Sequence, residues 1–169
     1  PSVESEGLVS FGIIPEDRRL LGVTVGQLAE HLDGRFIVCE EKADALVEHL
    51  MVGGMGMDSG ELYFGLQENK AVIVRGDRPD VQMSTLTTPT ACMVLTKGIE
   101  PIQYVKYEAK QEEISVMVVS MDTISTMEAL NTLMDRARFD HPLKLSRFAE
   151  LLEQHVDLPS LFRELGVES

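Results

Sequence analysis

Three short apolar runs, each ended by polar or glycine residues and followed by a segment of helical character, restrict this chain to few folds. Ala71-Val72-Ile73-Val74 is the clearest of them. It is mostly β-branched and shows no polar alternation, the pattern of a strand buried on both faces. Gly76 ends it, and Pro79 suits the first turn of a following helix, where a missing N–H costs nothing. Ala91-Cys92-Met93-Val94-Leu95 runs likewise into Thr96-Lys97-Gly98, and Ile114-Ser115-Val116-Met117-Val118-Val119 into Ser120-Met121-Asp122-Thr123. Buried strands alternating with helices predict an α/β fold of three layers, a mostly parallel central sheet with helices on both faces. The three loops then share the carboxyl-end rim of the strands, where open α/β sheets bind ligands.

The segments around this centre are read in chain order. Residues 1–7 are a polar leader, residues 8–14 read as a strand closed by Pro15-Glu16-Asp17, and residues 18–23 as a linker. Thr24 with Gln27 forms a capping box for a helix whose buried face is Val25, Leu28, Ala29 and Leu32, with Gly34 as its stop. Residues 35–39 predict a strand, 40–44 an acidic turn, and 46–52 one further strand-like run whose first half also suits a helix. Gly53-Gly54-Met55-Gly56-Met57 is a glycine–methionine turn that lacks the spacing of the phosphate-binding glycine motifs. Asp58 is expected to cap a short helix reaching Leu66. Helices are expected over residues 79–88, ended by Pro89, and over 101–113, with Ile102, Val105 and Ala109 as the buried stripe. Asp122 is a natural N-cap for a helix over 123–137. Pro142 opens a C-terminal helical extension bearing Leu145, Phe148, Ala149, Leu151 and Leu152, then Leu158, Leu161, Phe162 and Leu165 beyond Pro159. That stripe either closes its own core or meets another subunit.

Composition narrows the partners. The 169 residues are enough for one domain with a sizeable core. A net charge of −13 argues against nucleic acid and against an anionic membrane as main partners, since both reward clustered Lys and Arg. No apolar run reaches the ~20 residues of a membrane span and no signal peptide opens the sequence, so a cytoplasmic setting is expected. Cys39 and Cys92 lie in apolar segments without CxxC spacing and read as buried thiols of a reducing compartment. His31, His49, His141 and His155 join no ligand motif, so no metal or other cofactor is expected.

The rim residues carry what chemistry there is. Asp77 and Arg78 either pair with each other and fasten their loop, or Arg78 offers its guanidinium fork to a phosphate or carboxylate. Lys97 supplies a second positive charge. Ser120, Thr123, Ser125 and Thr126 supply hydroxyls, and two helix N-termini point donors at the same rim. This inventory suits an anionic small molecule such as a nucleotide, provided Arg78, Lys97 and Asp122 converge. It contains no Ser–His–Asp set, activated cysteine or paired carboxylates for catalysis.

These residues resemble the DRTGG domain, a module named for an Asp-Arg pair and a later Thr-Gly-Gly. Asp77 and Arg78 match the first part, and Thr96, Lys97 and Gly98 the second, with Lys97 standing where glycine is expected and adding a charge that favours an anion. Asp122-Thr123 before a helix also fits, and the resemblance covers residues 24–137. Residues 9–17 are similar to the closing strand of a P-loop, dethiobiotin-synthetase-like domain. Such a domain precedes DRTGG in the amino-terminal half of bacterial phosphate acetyltransferases and in stand-alone phosphotransacetylase-like relatives. The resemblance thus divides the chain into residues 1–23, a remnant of the P-loop domain; 24–137, the DRTGG-like domain; and 138–169, the helical extension. It implies a non-catalytic regulatory and oligomerisation domain, homodimeric, beside a P-loop domain, sensing an adenine nucleotide or other anion through Asp77, Arg78, Thr96, Lys97, Gly98, Asp122 and Thr123. Two alternatives stay open: a purely structural dimerisation module, and a fragment of an acetyltransferase or ATPase whose catalytic domain is absent.

Overall fold

The three apolar runs lie side by side in one sheet. A computed structural model of the chain describes residues 9–54, 57–133 and 137–167. In chain order these form α1 (Arg18–Leu21), β1 (Val23–Thr24), α2 (Val25–Leu32), β2 (Arg35–Val38), a single 3-10 turn (Glu40–Lys42), β3 (Leu46–Val47) and β4 (His49–Gly53). They continue with α3 (Met57–Phe64), β5 (Lys70–Arg75), α4 (Pro79–Leu86), β6 (Thr90–Thr96), α5 (Gln103–Gln111) and β7 (Ser115–Val118). Last come α6 (Thr123–Asn131), α7 (Pro142–His155) and α8 (Leu158–Glu164). Close packing separates Leu21–Ala137 from a second unit made of residues 1–20 and 138–169.

In the larger unit the strand order is β2-β7-β6-β5-β4. The four strands β4 to β7 run parallel, and β2 joins β7 antiparallel at one edge. The three-layer expectation holds. Along β5, Ala71 and Ile73 face α2 and α6, whereas Val72 and Val74 face α3, α4 and α5. The same alternation divides Cys92 and Val94 from Met93 and Leu95 on β6. With both faces covered these strands need apolar residues at every position, which explains the absence of polar alternation. Each fully buried Val or Ile contributes roughly 1.5–3 kcal/mol relative to exposure.

Local chemistry sets the helix ends. Thr24 Oγ1 accepts the Gln27 N–H at 3.1 Å and Gln27 Oε1 accepts the Thr24 N–H at 3.0 Å, so the capping box forms as expected. Val25, Leu28, Ala29 and Leu32 are all buried. The stop of α2 is Asp33, in the left-handed region at φ 50°, with Gly34 following. Helix α4 has buried residues around most of its circumference because α3 lies against it; a Cβ added at Gly60 would come within 2.8 Å of Ser84 Cβ. Glycine permits that approach. The thiols of Cys39 and Cys92 are buried and free, and burial alone pushes Cys92 up to about 12.

Several expectations need correction. Residues 9–14 are not a strand; only Gly12 makes an isolated bridge, to Val156, and residue 8 lies outside the described residues. Residues 18–23, expected to be a linker, contain α1. The run over 46–52 is two strands: β3 pairs antiparallel with β1, and β4 joins the main sheet. The division comes at Glu48, whose N–H turns to Asn69 O. Helix α3 begins at Met57 and ends at Phe64, so Asp58 falls inside its first turn; Met55 and Gly56 lie outside the described residues. Ile102 is 55% exposed at the N-cap of α5, leaving Val105 and Ala109 as the stripe. Helix α6 ends at Asn131, and residues 134–136 lie outside the description.

In the smaller unit, Phe11 O accepts the Asp157 N–H at 2.7 Å, and Arg147 Nε reaches Asp17 Oδ2 at 2.6 Å. Phe139 and Phe148 meet edge to face at 5.3 Å between centroids. Leu151 is buried, whereas Leu145, Ala149, Phe162 and Leu165 are exposed. Among the described residues no helix is long and apolar enough to cross a membrane.

Candidate functional site

The parallel register of β5, β6 and β7 brings the loops after Arg75, Thr96 and Val118 to one rim, as the strand pattern predicts. The first loop is the tightest. Gly76 N–H reaches Thr96 O at 3.3 Å, and an added Cβ at Gly76 would lie 2.3 Å from Ile99 O. Only a residue without a Cβ fits under that carbonyl. Gln82, fully buried on α4, holds the loop from below: its Nε2 donates to Arg75 O and to Gly76 O, each at 3.0 Å. Its Oε1 is buried without a partner among the described residues.

Asp77 and Arg78 do not pair with each other. Arg75 grips Asp77 through Nε at 2.9 Å and Nη2 at 2.5 Å, and Arg78 grips Asp80 through Nε at 2.9 Å and Nη2 at 2.7 Å. Two consecutive bidentate forks therefore occupy both guanidinium groups. The hydrogen bonds from Arg78 hold the Asp80 carboxyl down to about 2, and those from Arg75, aided by Lys97, keep Asp77 below its usual range. Asp80 stands in the first turn of α4, so the start of that helix already carries a carboxylate. Asp122 caps α6, accepting the Ser125 N–H at 2.8 Å, and its pKa is lowered first by that bond and also by Lys97. The expectation that two helix N-termini present free donors is thus corrected for α6, which Asp122 caps; α4 has no side-chain cap and carries Asp80 in its first turn.

Lys97 and Gly98 follow β6 in successive left-handed conformations, φ 69° and 67°. Their N–H groups bond to Met121 O at 2.7 Å and Val119 O at 2.8 Å, fastening this loop to the next. A non-glycine residue in that region costs roughly 1 kcal/mol, which is why glycine suits the position Lys97 fills. Lys97 is exposed, makes no ion pair among the described residues, and lies close enough to Asp77 and Asp122 to lower both. Thr96 is fully buried, and its hydroxyl lies 3.2 Å from that of Thr123. Thr126 is also buried, donating to Asp122 O at 2.7 Å, whereas Ser120 and Ser125 are exposed. Of Arg78, Lys97 and Asp122, expected to converge, Lys97 acts electrostatically on Asp122, and on Asp77 as well, while Arg78 turns aside to Asp80. Sequence reasoning missed Arg75, Asp80 and Gln82 as partners. Only Asp80, an acid in the first turn of a helix, carried a readable signal. Among the described residues no group of three His, Cys, Asp or Glu side chains could hold a metal ion.

A family model described as the DRTGG domain matches residues 27–133. The chain belongs to the DRTGG family. Its match begins inside α2 and ends just after α6, taking in the whole main sheet and all three rim loops. The DRTGG fold also aligns with the crystal structure of the CBS and DRTGG domains of the regulatory region of Clostridium perfringens pyrophosphatase, complexed with its activator diadenosine tetraphosphate. The TM-score is 0.57 at 18% identity; the alignment covers 69% of this chain and 50% of that one, so it spans about half of the pyrophosphatase region.

Proposed function

We propose that this DRTGG chain is a non-catalytic regulatory and oligomerisation domain of a larger, phosphotransacetylase-like protein, homodimeric and set beside a P-loop domain. Its carboxyl-end rim senses an adenine nucleotide or another anionic ligand. The observation that carries this reading is Lys97, an exposed cation without an ion-pair partner among the described residues, presented on a hydrogen-bonded loop between Asp77 and Asp122. The fold likeness to a regulatory region that holds an adenine dinucleotide activator supports the choice of ligand. On this reading Lys97 makes the first contact with phosphate, and Arg78 exchanges Asp80 for it. Thr96, Gly98 and Thr123 shape the loop below.

A purely structural dimerisation module is the second reading. It is favoured by the two arginine forks and by the Asp122 cap on α6, which leave Lys97 as the rim's one uncommitted charge among the described residues Arg75, Arg78 and Lys97. Thermal melts of the full chain with AMP, ATP and diadenosine tetraphosphate, run beside sedimentation, separate the two. Sensing predicts a raised melting temperature, about 2.7 kcal/mol of stabilisation at a hundredfold excess over Kd, lost in Lys97→Ala without loss of the dimer. A dimer that ignores all three nucleotides overturns sensing, and a monomer that ignores them overturns both.

A further inference from the structure

The opposite, amino-end rim of the sheet carries a cavity of about 470 Å³, between the last turns of α4 and α5. That volume falls within the ~300–1,000 Å³ of small-molecule sites. Its lining is mixed: Met83, Leu86 and Ile114 are apolar, and three threonine side chains donate their hydroxyls to carbonyls of α4. Glu108 and Glu112 complete the charged part, one turn apart on α5 and hence on one face of it. Both helices end here, with Thr87 and Glu112 as their C-caps, so the negative end of each macrodipole adds to the two carboxylates. Among the described lining residues none is basic. Lys70, bonded to the lining residue Pro89, commits its Nζ to Gln67 O at 3.1 Å and Pro89 O at 2.6 Å and pairs with neither glutamate. Tyr104 on the same helix is held neutral more firmly by the neighbouring Glu108 carboxylate, which keeps lone pairs for a further donor.

An apolar wall beside two carboxylates and two helix C-termini selects an organic cation with a hydrocarbon stem. A hydrated divalent metal does not fit, because it needs several convergent oxygens and gains nothing from Met83, Leu86 and Ile114. The roots of Glu108 and Glu112 are separated by about 6 Å of helix rise, the span of an extended four-carbon diamine. We propose that this cavity binds a linear aliphatic diamine, with one ammonium on Glu108, the other on Glu112, and the methylene chain against Met83, Leu86 and Ile114.

The probe is 1,4-diaminobutane, titrated into the full chain carrying 13C-labelled methionine methyls. The Met83 methyl is expected to shift and saturate. The double variant Glu108→Gln, Glu112→Gln is expected to bind about tenfold more weakly, as two half-exposed ion pairs of about 0.5–1 kcal/mol each imply, and 1-aminobutane should fall between. Both substitutions are on the surface, and an unchanged melt without diamine confirms that the variant folds. An unmoved Met83 at large excess of diamine overturns the proposal. So does equal binding by the folded double variant.

Discussion

The two ends of the main sheet handle charge in opposite ways. At the carboxyl end, Arg75, Asp77, Arg78 and Asp80 are partly exposed and paired in two adjacent forks, so water and a partner share the work of solvating each ion. At the amino end, Lys70 is fully buried and meets two backbone carbonyls, Gln67 O and Pro89 O, with no carboxylate in contact among the described residues. Burial drives its pKa down from 10.5 to about 8. Paired surface charges add little to stability, whereas a buried lone ammonium carries a desolvation cost that pH can remove. The carboxyl end is therefore held by close backbone approach more than by its ions, and the amino end is held by packing in spite of its ion.

The largest effect that would test this contrast is at Gly76. Gly76→Ala places a Cβ against Ile99 O and should cost about 3 kcal/mol, read from the urea midpoint. A loss below about 1 kcal/mol would show that the loop yields and that the ions hold the rim after all. Lys70 comes next. Its folded pKa lies below the 10.5 of the free side chain, so between about 8 and 10.5 the unfolded chain binds the extra proton. Stability should rise through that window by roughly 3 kcal/mol and stay flat for this group below it. Lys70→Met should abolish the rise, and a parallel pH profile in wild type and variant would place the titration elsewhere. Thr96→Val removes the hydroxyl facing Thr123 and should cost about 1 kcal/mol with the fold retained. The smallest effect is at Lys97. Lys97→Gly relieves the left-handed strain but adds freedom to the unfolded chain, for a net gain of about 0.5 kcal/mol. If it destabilises instead, the Lys97 side chain holds the rim through contacts with Asp77 and Asp122.

Much of the fold was legible because burial writes itself into local pattern. Ala71 to Val74 could only be a strand covered on both faces, and Thr24 with Gln27 could only be a helix start once Val25, Leu28, Ala29 and Leu32 followed. Short segments of mixed character were misread for the same reason. Leu46 to Val52 alternates imperfectly because two strands of different sheets meet at Glu48, and nothing local marks that junction. Residues 9–14 carry a strand-like composition but make only the Gly12 bridge, since β-propensity needs a neighbouring edge to be realised. At the rim the sequence brings Arg78, Lys97 and Asp122 to neighbouring loops, but which carboxylate each arginine takes was not legible.

By itself the sequence determined the buried strands, the helix caps and the gathering of the three loops at one end of a parallel sheet, because each depends on residues within a few positions of one another. Tertiary structure alone decided that β2 runs antiparallel at the edge, that Arg75 and not Arg78 takes Asp77, and that Lys70 is buried among carbonyls. Side chains of equal charge within a few residues offer several near-equivalent pairings, and only the packed geometry of the loop over Gln82 and under Ile99 selects among them.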